Sequence, residues 1–142
     1  MYDLHHFLTA VAIDELNDDK GYTDGQLGKH IAIYENELPD ITNADIVLVG
    51  ANETRGSGDF DNTLNAADCI RRQLYQLHYW HTDIALADIG NIKTGATLKD
   101  SYAAIKTVIA ELLRLKKTVV VLGGPHDITL AQYFAYKELQ QV

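Results

Sequence analysis

The sequence predicts an α/β fold built on a parallel sheet, and three observations carry that expectation. From about Asp45 onward, short apolar runs alternate with longer segments of helical period. The runs Ile46 to Val49, Ile84 to Leu86 and Val119 to Leu122 are apolar at every position, the second extending into Ala87-Asp88. That is the pattern of strands covered on both faces. Each run leads to glycine, at Gly50, Gly90 and the pair Gly123-Gly124. Strand, helix, strand, helix, strand, helix then makes two right-handed βαβ crossovers and an α/β sandwich.

The helices follow from spacing. Between Thr63 and Trp80, the residues Ala67, Ile70, Leu74 and Leu77 recur at intervals of three and four, with Asn62 as N-cap. From Leu98 to Lys116 the period is cleaner, through Leu98, Tyr102, Ile105, Ile109 and Leu112. Thr97 with Asp100 resembles a capping box, and Lys116-Lys117 put cations at the negative end of that helix. A last helix begins near Thr129 and runs toward Leu139. Residues 1–43 read as a helical and irregular appendage packed on an α/β unit of residues 44–142. In it, Leu4, Phe7, Leu8 and Val11 suit a short amphipathic helix, and Ile31 to Tyr34 a short strand.

Composition narrows the function classes. The 142 residues carry 12 Lys+Arg against 20 Asp+Glu, a formal net charge of −8. This balance argues against nucleic acid, whose phosphates require a basic patch. The longest apolar stretch, Thr118 to Gly124, is too short to cross a bilayer, so no membrane partner is expected. The N-terminal MYDLHHFL lacks the basic-then-apolar pattern of a secretory signal, and the expected address is cytoplasmic. A single cysteine, Cys69, excludes an internal disulfide and a cysteine zinc cluster.

Ligands of open α/β sheets sit beyond the carboxyl ends of the strands, here Ala51 to Asn62, Asn91 to Thr97 and Gly123 to Thr129. The first holds Gly56-Ser57-Gly58, which lacks the Lys-Ser/Thr ending of a P-loop and reads better as a connection than as a phosphate cradle. No cofactor-binding fingerprint is present. Neighbours on one helix, His5 and His6 point about 100° apart and read as a surface pair. His78 and His81 have a chelating spacing but no accompanying carboxylates, and His30 carries no motif. His126 differs, because it follows strand and double glycine in VVVLGGPHDIT, just before a helix. The glycines allow a sharp turn that faces its imidazole into the crevice. Asp127 is placed to orient that ring or to cap the helix. Position alone leaves a functional and a structural histidine equally open.

The strand, Gly-Gly, x-His segment resembles the first metal-ligand motif, GGDHS, of the ureohydrolase family (arginase, agmatinase, formimidoylglutamase). IVLVG at Ile46 to Gly50 looks like that family's first core strand. NAADCIRRQLYQL at Asn65 to Leu77 looks like its "pdxIRxxLyxL" helix, and ADIGNI at Ala87 to Ile92 is similar to its "DxGdI" segment. These landmarks cover residues 44 to 135 in the family's order, with formimidoylglutamase-like members closest. The resemblance implies the N-terminal part of a three-layer α/β/α arginase-like fold around an eight-stranded parallel sheet. It further implies two manganese ions (Mn2+) that activate a shared water for attack on an amidine or guanidine carbon. His126 matches the first ligand. The further DxHxD and DxD motifs are missing: no DxHxD occurs, and Asp59-Phe60-Asp61 lies in the wrong loop. Pro125 stands where the family has aspartate, and Asp127 where it has a small residue.

The favoured expectation is therefore an N-terminal portion of a manganese-dependent hydrolase, acting on a small-molecule amidine or guanidine. Alone it has no catalytic residue set and no tight metal binding. A stand-alone degenerate domain serving as a binding or regulatory module is the alternative. A small Rossmann-like nucleotide binder is weaker, for want of its glycine fingerprint. Three strands of an eight-strand design leave an unpaired edge, which predicts self-association as a homo-oligomer.

Overall fold

The structure, a computed structural model, describes residues 3–58 and 65–140. Its central strand is β3 (Ile46–Ala51), which pairs in parallel with β4 (Leu86–Ile92) and with β5 (Thr118–Leu122). Every residue of β3 after Ile46 is buried, which explains its unbroken apolar run. On the far edge of β4, β1 (Leu8–Thr9) pairs antiparallel with Ile92 and Asn91, and β2 (Ala32–Ile33) pairs in parallel with Ala87 and Asp88. The strand order is β1-β4-β3-β5, with β2 beside β1 on β4.

Helices cover both faces. Alternate strand residues Val47, Val49, Ala87 and Ile89 pack with Ile105, Val108 and Ile109 of α3 (Leu98–Arg114) and with Ala131 and Ala135 of α4 (Ile128–Glu138). The opposite set, Leu48 and Leu122, packs with Ala67 and Tyr75 around α2 (Ala66–Leu74) and with Leu16 of α1 (Ile13–Asn17). Strand periodicity of two thus sorts one sheet between two helical layers. The three-layer α/β/α expectation holds, with a mainly parallel sheet.

One polar group is taken wholly inside. Arg71 on α2 is fully buried, and its Nε and Nη2 each meet an Asp88 carboxylate oxygen on β4 at 2.8 Å. Its other donors reach Asp68 at 2.8 Å, Asn91 at 2.6 Å and the Gly90 carbonyl at 2.9 Å, while the Tyr75 hydroxyl donates to Asp88 at 2.8 Å. Burial opposes the Arg71 charge, but the hydrogen bond and charge of Asp88 outweigh it and raise its pKa. The Tyr75 hydroxyl is pushed up by burial and then by Asp88. The helix approaches closely because Gly50 has no side chain. A Cβ there would lie 1.8 Å from Asn91 Oδ1 and 2.9 Å from the Ala67 Cβ.

Several elements depart from the sequence expectation. The N-terminal amphipathic helix is only a 3-10 turn, Leu4–Phe7, after which Leu8 and Thr9 enter the sheet. Residues 1–43 therefore add two strands to β4. The helix read between Thr63 and Trp80 ends at Leu74 and is capped by Asn65, whose side chain accepts from the Asp68 N–H; Asn62 and Thr63 lie outside the described residues. The middle strand begins only at Leu86 and continues through Gly90 to Ile92. The Thr97–Asp100 capping box is present, but Lys117 turns away from the helix end to the carbonyls of Thr42 at 2.7 Å and Ala44 at 2.9 Å. Finally, β5 is not covered on both faces: Val120 is 38% exposed, since β3 is its one strand neighbour among the described residues.

Candidate functional site

The chain leaves β3 for its neighbour β4 by way of α2 on one face. It then returns across β3 to β5 by way of α3 on the other. The segments after β3 and β5 therefore diverge to opposite faces, which opens a crevice at their carboxyl ends. His126 lies at this switch point and is exposed. It reaches there because Gly123 and Gly124 have φ of +80° and +79°, left-handed values that suit glycine.

Asp127 follows at the N-cap position of α4 but makes no side-chain cap hydrogen bond. Its Oδ2 instead accepts a short hydrogen bond from the Tyr102 hydroxyl on α3, while its Oδ1 is buried without a hydrogen-bond partner. The bond to Asp127, helped by burial, pushes the Tyr102 hydroxyl up to about 12. Gly56 packs against both groups. A Cβ there would sit 1.9 Å from Asp127 Oδ2 and 2.6 Å from the Tyr102 oxygen. Glycine in the Gly56-Ser57-Gly58 segment thus serves close packing, within a 3-10 turn over Arg55–Ser57. The segments after β3 and β5 thus meet α3 at this contact.

A second brace joins the loops after β3 and β4. Glu53, only 2% exposed, accepts from Arg55 Nε at 3.0 Å, Arg55 Nη2 at 2.6 Å and the Arg55 backbone N–H at 2.8 Å. Arg55 also donates to the carbonyls of Gly95 and Ala96, at 2.8 and 3.0 Å, and to Ser101 Oγ at 3.2 Å. The Arg55 hydrogen bonds outweigh burial and hold the Glu53 carboxyl down at about 2. Glu53, Arg55 and Tyr102 were not singled out from sequence as site residues. The available signal was a Glu-x-Arg placed directly after a buried strand, since a carboxylate there needs a cation beside it.

The remaining histidines lie elsewhere. His5 tilts against Tyr34 with ring centroids 6.0 Å apart, and His6 Nε2 lies 3.5 Å from Asp3. His30 stacks on Tyr79 and its Nε2 donates to the Asp24 carbonyl at 2.5 Å. His81 packs on Trp80, and the His78 ring lies near Gly25. Among the described residues, no group of three or more His, Cys, Asp or Glu side chains could hold a metal ion. His126 is one imidazole beside a carboxylate already engaged by Tyr102, so the described donors do not fit a two-manganese centre on their own.

A model of the arginase family matches residues 44–141, most of the chain and all of its strand-end crevice. The chain belongs to the arginase family. Solved structures agree on the fold. An arginase superfamily protein from Trypanosoma cruzi superposes with a TM-score of 0.57 at 22% identity, covering 70% of this chain and 36% of its own. Formiminoglutamase from the same organism, solved with Mn2+, gives 0.63 at 21% identity, covering 82% of this chain and 41% of its own. An asparagine-to-histidine variant of that enzyme, also with Mn2+, gives 0.63 at 22% identity with the same coverage. This arginase-family chain thus spans less than half the length of those structures. No curated protein matches it significantly. Among the described residues, no helix is long and apolar enough to cross a membrane.

Proposed function

We propose that this chain is the N-terminal portion of a manganese-dependent hydrolase of amidine or guanidine C–N bonds, formimidoylglutamase-like in its substrate class. What supports the reading is His126, exposed at the switch point of an arginase-family sheet, in a Gly-Gly-x-His segment that resembles that family's first ligand motif. In the assembled enzyme, His126 would supply one metal ligand, and the ions would supply an activated water. This chain's own contribution is the frame: Gly123 and Gly124 turn His126 outward, Tyr102 holds Asp127, and Arg55 with Glu53 fixes the loops after β3 and β4.

Because the described donors fall short of a full centre, the isolated chain is expected to bind Mn2+ weakly and to release neither urea nor formamide. It is expected in the cytoplasm, as a homo-oligomer joined through its open sheet edge. Metal analysis of the purified chain after dialysis tests the first point: substoichiometric Mn2+ is expected, and about two ions per chain would overturn the account. One feature favours the alternative of a binding module. The cavity between the ends of β3 and β4, lined by Glu53, Thr94 and Ser101, has no room for a water, whereas roomier cavities lie beside α1.

A further inference from the structure

We draw no further inference here: the strongest candidate, the exposed apolar surface of Val120 on β5 and Leu130, Tyr133 and Phe134 on α4, flanks the open sheet edge already assigned to self-association, and nothing in the structure shows what else covers it.

Discussion

At the β4 edge of the sheet, β1 and β2 both pair with β4, and the strand's one carboxylate, Asp88, is fully buried against Arg71. At the β5 edge, the described residues supply no further strand, Val120 is 38% exposed, and α4 presents Leu130, Tyr133 and Phe134 to solvent. Both edges belong to strands that read alike in sequence. The difference is one of neighbours: the β4 side is completed by the N-terminal residues, whereas the β5 side must find its cover elsewhere. Stability should concentrate at β4, and association at β5.

The largest expected effect lies at the closed edge. Arg71→Ala leaves the Asp88 carboxylate buried without its cation, which costs about 3–5 kcal/mol. That is a large part of the stability of an ordinary domain. Urea unfolding should show the loss, and adding Asp88→Asn to the same chain should recover part of it by removing the stranded charge. A loss below about 1 kcal/mol would mean that the Arg71–Asp88 pair is not what closes this edge.

The contrast also explains what was legible in the sequence. The strands β3 and β5 and the helix α3 were readable because their signals are local: an apolar run of β-branched residues, a 3.6-residue period and the Thr97–Asp100 box. Of the two short N-terminal strands, Ala32–Ile33 falls within the strand expected at Ile31 to Tyr34, whereas Leu8–Thr9 lies where a helix was expected. Leu8–Thr9 is a strand only because β4 offers an edge to it, a tertiary fact with no periodicity of its own. At the site, His126 was visible from its Gly-Gly turn. The braces around it were not, because Arg55 reaches the Gly95–Ala96 carbonyls across some 40 residues, and Tyr102 finds Asp127 across 25 residues. Tyr102 fell on the apolar period of α3, so the same spacing that located the helix concealed the second use of its hydroxyl.

Between the two edges, the Glu53–Arg55 brace gives a pH-dependent effect of intermediate size. The Glu53 carboxyl ordinarily titrates near 4.5 and is held at about 2 in the fold. Its folded pKa is depressed, so its stabilisation is complete above pH 4.5 and disappears as the pH falls toward 2. Glu53→Gln removes this contribution at neutral pH, an expected loss of about 1.5–3 kcal/mol for hydrogen bonds to a charged group. Stability of the two chains, measured by denaturant from pH 7 to pH 2, should therefore converge at the acid end. Parallel curves would show that the Glu53 charge plays no part in joining the loops after β3 and β4.

The smallest expected effect lies at the open edge and concerns association more than folding. Val120 is paired with Leu48 of β3 on one side, while the other side of β5 has no strand neighbour among the described residues and is the edge on which a second copy of the chain would pair. Lysine at an exposed edge position opposes such pairing, because two copies would bring like charges together as the strands meet. Val120→Lys should leave unfolding nearly unchanged, since the side chain is already part-exposed, yet weaken self-association by about tenfold. Sedimentation velocity over a concentration series reads this directly, with Phe134→Lys reporting separately on the α4 surface. A wild-type chain that remains monomeric at high concentration would remove the contrast in association between the edges. The closed edge would then stand out only for its buried ion pair.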